Sequence, residues 1–316
     1  MHVKKNAHSI KWRIANDAQR LAIGAQQNAA ECLELNQFLP SRQLAAFRLI
    51  NFLKPLHFFN QKKLMMPLWI QAAIWGFITG LALLAGAAVA YFVNVPSRII
   101  AAIMAFGSGV LISALSFELM DEAYRQGGFY STAIGFLSGA IVYTGANWIL
   151  ARQGAKHRKR SGELQHSEQE VSGSGLAIAL GSLLDGIPES IVIGLSLLKG
   201  GTVSYVAVVA IALSNVPEGL SSAAGMKKAG RSPAYIFTVW GSLCLLLTLA
   251  SLAGFTLFKN FSPEVVSTTT AIAAGAILAM LVDTMIPEAF AVAHDFAGLI
   301  TVAGFLVAFV LSKLAE

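Results

Sequence analysis

Charge is what this chain has least of. Asp, Glu, Lys and Arg make up 13 per cent of its 316 residues, roughly half the share of an ordinary soluble domain. Together with 55 per cent apolar residues, that scarcity excludes a conventional water-facing surface. Cysteine is nearly absent as well: Cys32 and Cys244 make neither a disulfide framework nor a zinc cluster. No glycine-rich phosphate loop, nucleophile triad or cofactor motif occurs, so an enzymatic role has no support in the residues. The formal charge of +6 is also unevenly spread. Residues 1–67 hold ten Lys/Arg against three acids, and residues 68–316 hold thirteen against fourteen. The basicity belongs to an N-terminal tail, which argues against a nucleic-acid-binding surface.

What is present in quantity is apolar sequence of membrane-crossing length, about 20 residues per span. Eight such spans are predicted near 68–93, 99–120, 130–150, 176–198, 203–226, 233–258, 267–290 and 296–314. The expected fold is therefore an all-α integral membrane protein in the lipid bilayer. Its domains are a basic tail over 1–65 and a transmembrane domain over 66–316. Most connections are short. The exception is a polar segment at 151–175 carrying Arg152, Lys156, Arg158, Lys159 and Arg160, which reads as a flexible loop.

Loop charge sets the orientation. Connections after spans one, three, five and seven carry nine basic residues, against four on the opposite side without the tail. The positive-inside tendency then places the 151–175 loop in the cytoplasm and both termini outside. The basic tail conflicts with that rule. Translation beginning at Met65 or Met66 resolves the conflict, and a basic amphipathic helix over 43–59 lying on a membrane surface is the other reading.

Two phrases within these spans carry the functional expectation: Asp185-Gly-Ile-Pro-Glu189 and Ser214-Asn-Val-Pro-Glu218. An ionised side chain at the bilayer centre costs at least about 2.5–3.5 kcal/mol, so it is retained where it pairs, faces water or binds something. Each proline lacks an N–H and frees a carbonyl one turn earlier, that of Leu184 or Leu213. Positions four apart share a helix face, so Asp185 and Glu189 project together, as do Ser214 and Glu218, with Asn215 one step round. If the two helices pack side by side, three carboxylates converge and require a cation or protons. No Lys or Arg lies in the interior of any predicted span, which favours a bound divalent cation over a structural ion pair. Glu189 and Glu218 turned apart, or each locked to its own cation, would contradict this expectation.

Spans two and seven echo each other as Glu118-Leu-Met-Asp-Glu122-Ala and Thr284-Met-Ile-Pro-Glu288-Ala. Two similar central helices thus stand between three-helix groups, a 3+2+3 arrangement of the pseudo-inverted-repeat kind seen in secondary transporters. Glu118, Glu122, Asp283 and Glu288 are expected near one mouth as a vestibule or secondary site, with Asp283 the deeper and Asp121 and Glu122 open to a solvated helix-end reading. His157 and His166 are a weak metal-binding pair, and His294 is expected at the membrane interface. Small residues in Gly76-x-x-x-Gly80, Gly135-x-x-x-Gly139 and Ala271-Gly275-Ala279 allow close helix packing. They favour packing within one chain and leave a homodimer open.

These residues resemble the ZIP (Zrt/Irt-like) family of divalent metal transporters. The resemblance rests on eight spans, the long loop after the third, the paired Pro-Glu motifs, and the Leu119-Met-Asp-Glu-Ala and Met285-Ile-Pro-Glu-Ala segments of its bacterial branches. It covers roughly residues 66–316. It implies uptake of zinc, iron or manganese into the cytoplasm across a bacterial plasma membrane, with the metal as cargo and no resident cofactor. The implied ligands are Asp185, Glu189, Ser214, Asn215 and Glu218. The family's span four usually reads His-Asn-x-Pro-Glu, and Asp185 and Gly186 stand where His and Asn are expected. Ser214 replaces the His or Gln that usually opens the span-five motif. Residues 233–258 contain no acid or histidine, so the second metal position that span six often completes is degraded. Loss of nitrogen ligands leaves oxygen donors, which lean towards manganese, iron(II) or magnesium. Two other classes stay open: a transport-inactive metal-binding or sensing membrane protein, and an unrelated organic-cation carrier.

Overall fold

In the computed structural model, residues 66–159, 170, 174–198 and 201–315 are described. The tail, its 43–59 helix, Cys32 and His166 lie outside them. Every regular element among the described residues is helical. In chain order these are α1 (Leu68–Phe92), α2 (Ser97–Ala114), a π-helical turn (Leu115–Met120), α3 (Asp121–Leu150), a second π-helical turn (Ala151–Ala155), α4 (Ser174–Ser196), α5 (Tyr205–Lys228), α6 (Pro233–Phe258), α7 (Pro263–Met280), a third π-helical turn (Leu281–Met285), α8 (Ile286–Ala293) and α9 (Ala297–Ala315).

The starts follow local chemistry. Ser232 Oγ accepts the Tyr235 N–H at 3.2 Å with Pro233 opening α6, where its missing N–H costs nothing. Ser204 Oγ accepts the Ala207 N–H at 3.2 Å and starts α5. Pro188 and Pro217 sit inside α4 and α5, which continue through them.

Six helical stretches are long and apolar enough to cross a membrane: 68–92, 97–155, 176–196, 205–228, 233–258 and 263–313. The second and sixth run to 59 and 51 residues, more than twice the length of one crossing. Each is broken part-way along, and the second again near its end at Gly154. Gly128 takes φ +68°, a left-handed conformation natural to glycine, and His294 takes φ +44° at the end of α8. Side chains between such breaks face outward: Ile134, Leu137 and Ile141, on one face of α3, are each more than 60 per cent exposed. Apolar side chains turned out along a helix of that length are suited to lipid, and the chain is an integral membrane protein by these elements.

Helices pair in matched couples. α3 lies along α7 and α2 along α9; α1 lies along α5 and α4 along α6; α2 also touches α5, and α4 touches α7. The first four contacts are closed by reciprocal glycines. A Cβ on Gly139 would fall on the Ile272 carbonyl and one on Gly275 on the Phe136 carbonyl. Gly109 and Gly304, Gly86 and Gly219, and Gly194 and Gly254 do the same at the other three crossings. Backbone thus meets backbone, as small-residue faces permit in lipid. The stripes at Gly76/Gly80 and Gly135/Gly139 are used inside the chain, against α6 and α7 respectively. One expectation needs adjustment. α4 and α5 do not pack side by side along their length; each leans on other helices and the two meet over a narrow contact.

Candidate functional site

The polar centre is built where α4 and α5 approach each other. Asp185 and Glu189 on α4, and Ser214, Asn215 and Glu218 on α5, are all buried. The residues that complete it come from the segment expected to be a flexible loop. After the Ala151–Ala155 turn, in which Gly154 takes φ +101°, the chain folds back and buries Arg158 and Lys159 almost completely. The expectation that no cation was available inside the bundle is therefore corrected: two basic side chains enter from the end of span three.

Arg158 clamps Asp185. Its Nε donates to Oδ2 at 2.9 Å and its Nη2 to Oδ1 at 2.8 Å, the bidentate fork that only guanidinium provides. Tyr143 donates its hydroxyl proton to Asp185 Oδ1 at 2.5 Å and accepts from Arg158 Nη2 at 3.0 Å. Arg158 Nη1 donates to Asn147 Oδ1 at 2.8 Å. Gly181, one turn before Asp185, makes room for the guanidinium, since a Cβ there would lie 2.5 Å from Arg158 Cδ.

Lys159 stands between the two helices. Its Nζ lies 3.3 Å from Asp185 Oδ2 and 3.1 Å from Glu218 Oε2. These are ion pairs without a hydrogen bond of regular geometry. Ser221 Oγ, three residues beyond Glu218, donates to the Lys159 carbonyl. Burial works against charge on Lys159, and the carboxylates of Asp185 and Glu218 outweigh it, holding the ammonium above the ordinary lysine range. The same contest raises Arg158, with Asp185 overcoming burial.

Glu189 is the exception. It is fully buried, and neither carboxylate oxygen has a hydrogen-bond partner among the described residues. It feels Glu218, Lys159 and Asp185 electrostatically but touches none of the cations through a salt bridge or hydrogen bond described here. The five expected ligands thus separate by role. Asp185 is committed to Arg158, Tyr143 and Lys159. Glu218 holds Lys159. Ser214 returns its hydroxyl proton to the Ile211 carbonyl at 2.9 Å. Asn215 donates Nδ2 to the Thr79 carbonyl of α1 at 2.9 Å, with Oδ1 unpartnered among the described residues. Three carboxylates do not form a ready-made metal group among the described residues; two of them meet across a lysine and the third stands beside them. Of the two contradicting arrangements named above, Glu218 meets the second and Glu189 does not.

The outlying acids are placed as follows. Glu118, in the first π-helical turn, accepts from Ser204 Oγ at 3.0 Å and Ser312 Oγ at 2.7 Å, tying the start of α5 and the end of α9 to α2. Glu122 accepts from Gln126 Nε2 at 2.5 Å. Asp121 pairs with Arg125 at 2.8 Å on an exposed surface, which fits a solvated helix end. Asp283, within the third π-helical turn, is exposed, whereas Glu288 is buried. His157 is half-buried, and His294 closes α8 with its ring edge-on to Phe290.

Sequence reasoning missed Tyr143, Asn147, Arg158, Lys159 and Gly181. A signal existed: Tyr143 and Asn147 lie four apart on an apolar span, and the Arg158-Lys159 pair follows within reach of the same end. No protein-family model and no curated protein matches the chain.

Proposed function

We propose that this protein carries divalent metal cations across a membrane, with Glu189 and Glu218 as the principal ligands and Asn215 Oδ1 and the carbonyls freed by Pro188 and Pro217 as neutral oxygens. The observation that carries this reading is Glu189. A buried carboxylate without a partner among the described residues, on a proline-containing helix of membrane-crossing length, is stable only with a proton or a cation. Its neighbour Glu218 is held by nothing stronger than ion pairing to one ammonium. All candidate donors are oxygen, which suits manganese, iron(II) or magnesium better than zinc.

The matched helix couples and reciprocal glycines support eight crossings in a 3+2+3 pseudo-inverted repeat, in keeping with a ZIP-like transporter. In that arrangement Gly128 and His294 end the first crossing within each of the two long stretches, and the Arg158-Lys159 turn lies at the cytoplasmic end. Uptake would then run towards the cytoplasm across a bacterial plasma membrane. The role assigned to Asp185 changes with the structure: it anchors Arg158 instead of binding the cargo.

Manganese and zinc uptake by proteoliposomes, compared with Glu189→Gln and Glu218→Gln, tests the reading. Wild-type uptake abolished by both substitutions is expected, and uptake indifferent to both would refute it. One observation favours a second reading. Lys159 already fills the cation position between Asp185 and Glu218, as it would in a transport-inactive binding or sensing protein. Wild-type protein that binds manganese yet moves none selects that alternative.

A further inference from the structure

We propose that Lys159 is a tethered competitor for the transported cation: its ammonium occupies the position a divalent ion takes, and loading requires that one side chain to withdraw. The inference rests on the metal reading above and adds the device that governs its threshold.

Three observations carry it. The first is the contrast between two adjacent cations. Arg158 is fastened by directional hydrogen bonds to Asp185, Tyr143 and Asn147. Among the described residues the Lys159 ammonium has two point-charge contacts, at 3.1 and 3.3 Å, and no regular hydrogen bond. A desolvated ammonium held that way is the exchangeable member of the pair. The second is location. Lys159 Nζ contacts Glu218, and both act electrostatically on Glu189, so removing the ammonium exposes an acidic oxygen near a carboxylate that lacks a partner among the described residues.

The third is charge balance. Asp185 and Glu218 pair with Arg158 and Lys159, and Glu189, which joins neither pair, adds one negative charge when it gives up its proton. With Glu189 ionised, exchanging the ammonium for a doubly charged ion makes the cluster neutral with Arg158 still on Asp185. A monovalent ion in the same exchange would leave the deficit unchanged. The lysine therefore favours divalent over monovalent cargo and lowers apparent affinity by the fraction of molecules in which it is seated.

Manganese is the probe, titrated into purified full-length protein in detergent with free ion read by electron paramagnetic resonance. Lys159→Met, which keeps the length of the side chain without its charge, is expected to tighten binding at least about tenfold, and Glu189→Gln is expected to abolish it. In the wild type, acetylation of Lys159 by an amine reagent, followed by mass spectrometry, is expected to rise as manganese saturates the site. This second readout decides the matter should Lys159→Met fail to fold. Binding by Lys159→Met that is unchanged or weaker, or acetylation of Lys159 that is indifferent to bound manganese, overturns the competitor while leaving the metal site standing. Absence of manganese binding in both wild type and Lys159→Met refutes the metal reading and the competitor together.

Discussion

α4 and α5 carry the same Pro-Glu pair, yet Glu189 and Glu218 end in opposite circumstances. Glu218 contacts a lysine, and Glu189 has no hydrogen-bond partner among the described residues. The difference begins four residues upstream of each glutamate. On α4 that position is Asp185, which shares the glutamate's face and captures the guanidinium of Arg158. On α5 it is Ser214, which satisfies itself on its own backbone and makes no claim on a cation. The second basic side chain then settles between Asp185 and Glu218. Two near-identical motifs in adjacent helices therefore serve as different devices, one an anchor with a spare carboxylate, the other a cation holder.

The sharpest way to break this comparison is to neutralise the anchor. Asp185→Asn leaves a buried guanidinium without its carboxylate and is expected to cost about 3–5 kcal/mol, read as a large fall in thermal unfolding temperature in detergent. Glu218→Gln should cost clearly less, because Lys159 keeps its contact to Asp185; equal losses would erase the contrast. Gly181→Ala pushes a methyl group against Arg158 Cδ and should destabilise by about 2 kcal/mol, whereas the same substitution at Gly241, whose surroundings are open, should not show this steric penalty. Tyr143→Phe removes two hydrogen bonds to charged groups, one given to Asp185 and one accepted from Arg158, a loss of at least about 1.5 kcal/mol by the same unfolding assay. The smallest effect on stability belongs to Glu189→Gln. It forfeits no hydrogen bond, so unfolding should shift by less than about 1 kcal/mol while metal uptake disappears. A destabilisation matching that of Asp185→Asn would mean Glu189 has a structural partner.

Much of this architecture was legible from residue order. Apolar length located the helices, and the paired prolines marked the two that meet at the polar centre. The echo between Glu118 and Glu288 fell on two elements that both contain π-helical turns. Asp185, Glu189 and Glu218 are buried, as read from their spans, and Asp185 and Glu218 meet basic side chains. The source of that charge was not legible. Arg158 and Lys159 sit in a run of basic residues that hydropathy assigns to water, and periodicity says nothing about a chain that doubles back after Gly154. Recognition of them depended on a three-dimensional complement: Tyr143 and Asn147 on α3, and the gap at Gly181 on α4. The outward face of Asp283 was not legible either, since a π-helical turn shifts the face on which a side chain emerges and a 3.6-residue count does not register it.

Arg158 and Lys159 are consecutive residues fastened to different helices. The first is bonded to α4 through Asp185, and the carbonyl of the second is bonded to α5 through Ser221. Neighbouring Cα atoms are separated by about 3.8 Å and no further. That short leash limits how far α4 and α5 can slide or part with both fastenings intact. Any larger excursion has to release the guanidinium or the serine first, so these two bonds form a latch whose opening precedes relative movement of the helices.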